Sequence, residues 1–349
     1  MKKFKTMTAR FLAQQQQSRW PLMLLAALLA FCVLALSVKS ASREGGRALS
    51  MTSAQTALSG QWVAQFDASR PGVVNMMFTR RAERDGSFMI TDNISRDELQ
   101  GFPADASSAA KVNVNFRIVR EAGTFDCEGY FNAGKGAGFW TLTPSRSFVS
   151  MMRNRGYANL TEEDLLRAAL HNLTTKFIED LKAVGYDHLE FAQLLRAVSH
   201  EVTAAYVREM QAAGYRDLSM EELVRARNHE IDSQYVKEAQ AMGFDKQPLE
   251  SLIRLRNHEI TQEFINSMRA AGFENLSIEE LIRLRTHEVT PEFVSGLKAE
   301  GYPDISVEMA VRLKSHDIDR EFIRRAKARG LTNITLEQLI RLRSNDITK

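Results

Sequence analysis

The chain has 349 residues, 44% of them hydrophobic, which suffices for two or three compact units with their own cores and excludes a wholly disordered protein. Its formal charge of +3 is unevenly distributed, since residues 1–59 hold eight Lys and Arg against one acidic residue, whereas residues 145–347 hold 28 against 32. A nucleic-acid surface needs a clustered excess of positive charge, so the large folded region is not expected to bind nucleic acid.

An uninterrupted apolar run occupies residues 20–38, with the sequence WPLMLLAALLAFCVLALSV. This length suits a helix that crosses the hydrocarbon core of a membrane. Five basic residues precede the run, and such a cluster favours a cytoplasmic N-terminus. We therefore predict a cytoplasmic tail (1–19), one membrane span (20–38), a small polar linker (39–58) and an extracytoplasmic remainder. A cleaved signal peptide is the alternative, although the run is longer than the usual stretch of about 7 to 15 residues.

Residues 59–143 contain short segments in which apolar and polar residues alternate, separated by Gly, Asp, Asn and Pro. Val112 and Val114 share one face of such a segment, and Phe125 and Cys127 share one face of the next. About six segments of this kind predict a small antiparallel sandwich or barrel, with a short helical turn between the third and fourth.

The opening tripeptide of this domain, Gly60-Gln61-Trp62, resembles the G-x-W start of lipocalin-like barrels, which hold apolar ligands. The competing interpretation is a tryptophan in the core of the first strand, because the segment is short for an eight-stranded cup. An internal cavity would favour the ligand, whereas an interior filled by side chains would exclude it.

Residues 145–347 form an internal repeat of seven 29-residue units. A glycine marks the register, and an arginine and a histidine recur at the same step. The marker glycines are Gly156, Gly185, Gly214, Gly243, Gly272, Gly301 and Gly330.

Each unit predicts two short helices. A Ser, Thr or Asp begins the first helix by capping its exposed amides, and the marker glycine ends it in a left-handed conformation. A single 29-residue hairpin cannot bury its apolar face, so the units are expected to stack into an α-solenoid. The predicted fold class is therefore an α+β chain of several domains, with a membrane helix, a β domain and seven helical hairpins.

The recurring histidines are followed by glutamate in four units, which invites comparison with the H-E-x-x-H zinc motif. No second histidine follows at the fourth position, and stacked repeats would hold equivalent histidines too far apart to share an ion, so we predict no metal site. We expect each histidine to lie at a helix C-terminus and to bond terminal carbonyls. The alternative is a pH-responsive column, formed by His200, His229, His258, His287 and His316.

Two columns of basic residues follow the repeat. The first is expected to pair within its own helix at i, i+4, as in Glu163 with Arg167 and Glu221 with Arg225. The second has no such built-in partner, and it either lines a groove for an acidic partner or forms a solvated face. Its members are Arg227, Arg256, Arg285, Lys314 and Arg343.

A resemblance to a known family rests on the segment VREAGTFDCEGYFNAGKGAGFWTLTPSRSFVSMMRNRGY and on repeat units such as LSIEELIRLRTHEVTPEFVSGLKAEGY. Both resemble a region that lies C-terminal to the metallopeptidase of the β-lactam-sensor antirepressor type in some bacterial membrane proteins. The resemblance covers residues 60–347, and the peptidase portion is missing here. It implies a bacterial envelope setting, at the inner membrane, and a part that senses or docks rather than catalyses.

The sequence also lacks Gly-x-Ser-x-Gly, phosphate-loop, Rossmann and Cys-x-x-Cys motifs, so no catalytic residue and no cofactor is predicted. We expect a membrane-anchored, periplasmic interaction scaffold that binds a protein partner, as part of an envelope sensing or regulatory system. The alternative function is a sensor whose β domain binds a small apolar ligand or an envelope fragment.

Overall fold

The computed structural model describes residues 58–82, 86–104, 106–107 and 110–344. The predicted tail, membrane span and all but the last residue of the linker lie outside these residues. Among the residues that are described, no helix combines the length and the apolar character needed to cross a membrane.

One antiparallel sheet forms the β domain, with seven strands where six were predicted, because a two-residue strand follows the helical turn at Arg96–Glu98. The strands lie in the order β3-β2-β1-β7-β6-β5-β4. Their bounds are β1 Leu58–Phe66, β2 Val73–Ala82, β3 Gly86–Ser95, β4 Leu99–Gln100, β5 Val112–Val119, β6 Gly123–Asn132 and β7 Lys135–Pro144.

The sheet is a half-barrel, so the described strands form neither of the predicted alternatives, a two-sheet sandwich and a closed barrel. Alternation of buried and exposed residues along the strands gives it one apolar face. Helical side chains, including Phe148 and Met152, belong to the same buried cluster as the strand residues. Helices therefore cover the buried face where a sandwich would use a second sheet.

Aromatic rings fill the buried face around Trp62. Its ring centroid lies 5.5 Å from that of Phe116 and 5.7 Å from that of Phe131, and Phe102 packs edge-on against both phenylalanines. The Trp62 indole N–H donates to the Phe139 carbonyl at 3.1 Å. Trp62 is thus a core residue, and the rings occupy the space in which the alternative function would place an apolar ligand.

Glycine at two neighbouring strand positions lets this indole lie across the sheet. A Cβ at Gly129 or Gly138 would lie 2.7 Å from Trp62 Cζ2, and at Gly138 also 1.9 Å from the Glu128 carbonyl oxygen. The strand glycines are therefore required by close packing.

Fourteen helices follow in the described chain, two for each predicted repeat. The first helices of the repeats are α1 Arg146–Asn154, α3 Thr175–Lys182, α5 Ala204–Ala212, α7 Ser233–Ala241, α9 Gln262–Ala270, α11 Pro291–Ala299 and α13 Arg320–Ala328. The second helices are α2 Glu162–Leu170, α4 Phe191–Ser199, α6 Met220–Asn228, α8 Leu249–Asn257, α10 Ile278–Thr286, α12 Val307–Ser315 and α14 Leu336–Ser344.

The predicted capping chemistry is confirmed at both ends of the first helices. Every first helix has a Ser, Thr or Asp whose side chain accepts the amide three residues on, as Thr203 does from Tyr206 at 3.2 Å. Every marker glycine has a positive φ, between 91° and 104°. At Gly214 the following amide, of Tyr215, donates to the Met210 carbonyl at 2.9 Å, which closes the helix end.

The hairpins stack in two layers, because first helices contact first helices and second helices contact second helices of neighbouring repeats. The tyrosines that follow four of the marker glycines form hydrogen bonds between neighbouring repeats. Each hydroxyl donates to a backbone oxygen 32 residues on, and the donors are Tyr157, Tyr186, Tyr215 and Tyr302. The buried apolar residues are continuous from Leu58 in the sheet to Ile282 in the fifth repeat. The first five repeats therefore share one core with the sheet, and a second buried cluster, from Met268 to Ile340, fills the rest of the stack.

Several contacts join the sheet to the repeats. Helix α2 packs on β6 and β7, next to the Pro144–Arg146 junction that the sequence predicted to connect the units. The Glu121 carboxylate, in the β5–β6 turn, accepts the Thr175 amide at 2.9 Å and the Thr175 hydroxyl at 2.6 Å. A carboxylate at the start of α3 also interacts favourably with the helix dipole.

We predict that Gly214→Ala lowers the free energy of unfolding by about 1–2 kcal/mol, the cost of a left-handed conformation for a residue with a side chain. The open space around Gly214 makes this a backbone effect, since no atom lies within 4 Å of an added Cβ. Gly214→Asn is the matched control and is expected to lose less, because asparagine tolerates this conformation. Urea unfolding of the full chain measures both, and equal losses for the two variants would contradict the explanation.

Candidate functional site

The second helices of repeats 1 to 6 all end on the repeat histidine, as predicted. The next residue takes a left-handed conformation, with φ between 50° and 55°, although it is never glycine. The left-handed conformation costs a residue with a side chain roughly 1–2 kcal/mol of stability, and the cost is smaller for Asn and Asp than for Glu. These residues are Asn172, Glu201, Glu230, Glu259, Glu288 and Asp317.

Four of the five carboxylates at this position pair with the second basic column, one repeat further along. Each pair joins an acidic residue to the arginine 26 residues later, so the contact spans two repeats. The pairs are Glu201–Arg227 at 3.4 Å, Glu230–Arg256 at 2.7 Å, Glu259–Arg285 at 3.2 Å and Asp317–Arg343 at 3.9 Å.

The same cations lie over aromatic rings of the first helices. The Arg227 guanidinium is 4.9 Å from the centroid of the Tyr206 ring, and Lys314, the column's lysine, is 5.5 Å from that of Phe293. A cation over a ring contributes about 0.5–1 kcal/mol at an exposed site. Together with an exposed ion pair, worth about 0.2–1 kcal/mol, this is similar in size to the backbone cost at the paired glutamate.

The second basic column was expected to lack a partner within its own helix, and its arginines pair instead with carboxylates of the preceding repeat. Stacking brings the acidic residue of the preceding repeat beside each arginine, which a search along a single helix cannot detect. The arginine side chains are 36–40% exposed, whereas their carboxylate partners are 62–86% exposed. The outer edge of this column is therefore more acidic than its arginines suggested.

Stacking also changes the partners of the first basic column. Arg167 pairs with Glu163 at 3.0 Å, as predicted. Arg225 instead pairs with Glu250, 25 residues on, and the same step joins Arg254 to Glu279, Arg283 to Glu308 and Arg312 to Glu337. Arg167 keeps the partner in its own helix because the residue 25 positions after it is an alanine, so no carboxylate competes with Glu163.

The histidine side chains form hydrogen bonds between repeats, where bonds to terminal carbonyls were expected. In three repeats Nδ1 lies near a polar side chain 28 residues on, which again belongs to the next second helix. The contacts are His229 with Asn257 at 2.9 Å, His258 with Thr286 at 3.4 Å and His287 with Ser315 at 3.1 Å.

His171, in the first repeat, has the histidine environment most altered by the fold. Burial lowers its pKa from the ordinary value, the nearby Asp92 carboxylate of the sheet opposes this, and Arg167 and His200 reinforce it. Burial also raises the pKa of Asp92. His171 thus lies at the interface of the sheet and the repeats, outside the column predicted to respond to pH.

An open groove of about 540 Å³ unites parts of both predicted columns at repeats 2 to 4. The end of α4, with His200, forms one side, and the start of α7 forms the other. The groove is lined by Ser199, His200, Glu201, Arg227, Asn228, Glu230, Asp232, Gln234, Tyr235, Glu238 and Arg256. The other predicted residues, His229, His258, His287, His316, Arg285, Lys314 and Arg343, continue the same ladder outside the groove lining.

Sequence reasoning missed the left-handed glutamates, although a signal was present. Each second helix must end before the buried apolar residue that follows the pair, such as Val202 after His200 and Glu201. Because this site has no glycine, the residue after the histidine has to take the left-handed conformation itself. The His–Glu pairs are therefore helix ends.

Within the described ranges, no group of three or more His, Cys, Asp or Glu residues is placed to hold a metal ion. Cys127 is buried in the core of β6, and burial raises the pKa of its thiol to about 12. No family model, curated protein or solved structure matches this chain.

We predict that Arg256→Gln lowers the free energy of unfolding by about 1 kcal/mol, because it removes both the ion pair with Glu230 and the stacking on the Tyr235 ring. Arg269→Gln, an exposed change on the neighbouring first helix, is the matched control and is expected to have little effect. Urea unfolding at low salt measures the difference. A loss that is the same for both variants would show that the ladder does not stabilise the stack.

We predict that acidification from pH 7 to about pH 5 destabilises the fold partly through His171. The unfolded chain binds a proton near pH 6.5, whereas the lowered pKa of His171 delays binding in the folded state, so the free energy of unfolding falls as pH drops through this window. The raised pKa of Asp92 acts in the opposite direction at lower pH.

His171→Gln is therefore expected to flatten the pH dependence of the unfolding free energy, measured by urea titration at several pH values. His188→Gln, at a histidine whose side chain is 92% exposed, is the control. An unchanged slope in the His171 variant would contradict the assignment.

Proposed function

We propose that this chain is a membrane-anchored scaffold whose helical repeats hold a protein partner on the extracytoplasmic side of the bacterial inner membrane. The observation that carries the proposal is the open groove at repeats 2 to 4. Stacked helices bring side chains from three successive repeats onto one surface there. Stacked helical repeats make extended surfaces of the kind that bind proteins.

The anchoring part of the proposal rests on the sequence. The apolar run at residues 20–38 and the basic residues before it favour one span with a cytoplasmic N-terminus. The envelope setting rests on the resemblance of residues 60–347 to the region attached to membrane metallopeptidases. The proposal has no catalytic step, and it assigns the chain a docking role within a sensing or regulatory system.

A photo-cross-linking amino acid at Gln234, introduced into the full-length chain in its native membrane, tests the proposal. Gln234 is exposed and lines the groove. We expect a discrete cross-linked product from this position. The matched control is Glu321, which lies two residues after the N-cap of its helix in the seventh repeat, as Gln234 does in the fourth. Glu321 is exposed and lies outside the groove lining.

The proposal predicts at least a severalfold higher yield at position 234 than at position 321, with the same partner in repeated preparations. Equal yields at the two positions, or products that vary between preparations, would show that the groove is not where a partner docks.

A further inference from the structure

Along the stack, each hairpin is covered on one side by the hairpin that follows it. No described residue covers that side of the seventh repeat, which we call the outer face. It consists of positions that contact the following hairpin elsewhere in the stack. Its residues are Arg325, Arg329, Leu331, Arg341 and Leu342.

The apolar part of the outer face is incompletely buried. All six earlier residues at the position of Leu342 are 0% exposed, Leu284 and Leu313 among them, whereas Leu342 is only partly buried. Leu331 is 38% exposed, although Phe273, which holds the same position two repeats earlier, is 8% exposed. The apolar surface of this repeat is therefore fully covered only beneath a further hairpin.

Arg341 belongs to the first basic column, and the earlier repeats show what that column binds. Four of its equivalents pair with a glutamate in the first turn of the following second helix, as Arg283 does with Glu308 at 3.4 Å. Arg341 is exposed and forms no ion pair with a described residue. The geometry of the stack therefore places a carboxylate of a further helix opposite Arg341.

Arg329 gives the same result for the first helices. Its equivalent in the first repeat, Arg155, pairs with Glu179 of α3 at 2.5 Å. Its equivalent in the sixth repeat is Glu300, which has the opposite charge and pairs with Arg324 of α13 at 2.9 Å. Both partners lie 24 residues on, so this position meets the following first helix, and a carboxylate there would pair with Arg329.

Arg325 adds a third cation to the outer face. It occupies the position of Gly296, where an added Cβ would lie 3.3 Å from the Cβ of Arg320 in the following helix. The acidic residues of the described seventh repeat are engaged elsewhere. Asp319 caps α13, Glu321 pairs with Arg324 at 3.6 Å, and Glu337 pairs with Arg312 of the preceding repeat.

The outer face therefore combines partly exposed leucines with three arginines that form no ion pair with a described residue. Contact between the outer faces of two copies of the chain would bring these arginines together, and such juxtaposition of like charges is unfavourable. An acidic surface is the complement that the charges of this face require.

We infer that the outer face of the seventh repeat docks a helical hairpin of a partner protein. Acidic residues of that hairpin lie against Arg329 and Arg341, and an apolar residue covers Leu342, as in the contacts between repeats. This surface is separate from the groove at repeats 2 to 4, so the inference goes beyond the proposed function and does not depend on it.

Fluorescence anisotropy of the full-length chain in detergent tests the inference with a synthetic hairpin. The probe is a fluorescein-labelled peptide with the sequence of residues 290–318 and the substitution Ser295→Glu. Its Glu308 is placed to meet Arg341, and the new glutamate, at the position of Glu179, is placed to meet Arg329. We expect saturable binding that weakens with salt, and no binding of a scrambled peptide of the same composition.

The decisive variants change Arg341. Arg341→Gln is expected to weaken probe binding about threefold, the effect of one exposed ion pair. Arg341→Glu is expected to weaken it further, and a probe with Glu308→Arg is expected to restore the lost affinity. Arg208→Gln in α5 is the matched control, since this exposed arginine lies in the third repeat and its loss changes the net charge equally.

Leu342→Ser tests the apolar contact and is expected to weaken probe binding about tenfold, because a covered leucine contributes most of its burial energy on docking. Circular dichroism confirms that each variant is folded.

Equal weakening by Arg341→Gln and Arg208→Gln would overturn the inference, because the attraction would then come from overall charge. Failure of the Glu308→Arg probe to recover binding to the Arg341→Glu chain would do the same. Dimerisation of the full-length chain that is lost in Arg329→Glu, measured by light scattering, would assign the face to a second copy and overturn it as well.

The two binding surfaces are tested independently. Glu321, the cross-linking control, lies off the outer face, because the equivalent Glu292 stays exposed beside a following hairpin. Cross-linking at Gln234 therefore reports on the groove, whereas hairpin binding reports on the outer face, and either result can fail without the other.

Discussion

The structure depends on the burial of one hairpin against the next. A 29-residue hairpin has too little apolar surface of its own to form a core, so each repeat is stable only beside a neighbour. The first repeat finds that neighbour in the half-barrel sheet, where Phe148 and Met152 enter the same buried cluster as Trp140. The sheet therefore acts as the cap of the stack, and the fixed step follows from the need to repeat the same contact.

This stacking also decides which charged side chains meet. Along an isolated helix, Glu221 and Arg225 are neighbours, but a second helix lying alongside brings Glu250 closer to Arg225. The residues that form the ion pairs and histidine contacts between repeats are therefore 25, 26 or 28 positions apart in the sequence. Each such bond is weak at an exposed site, so the ladders adjust the register of a stack that the apolar core holds together.

Much of the fold could be predicted from local chemistry. Thr203 and Gly214 mark the bounds of a helix because a cap and a left-handed turn need only the residues nearby. The partners of Arg227 could not be found in this way, since they depend on the distance between stacked helices. The left-handed conformation of Glu201 was predictable in principle from the missing glycine.

In a repeat protein, the positions that the fold requires can be told from the others by whether the same residue type recurs in every repeat. Residues that the fold needs recur at every step, as the marker glycines do, and a change at any one of these glycines would strain the backbone at a helix end. Residues that serve a partner have no reason to recur. The positions of Glu238 and Tyr235 vary along the stack, since the preceding repeat has Glu209 and Tyr206 there and the next repeat has Ser267 and Phe264. Variation at such positions leaves the stacking contacts intact, so it is there that the surface of one repeat differs from that of the next.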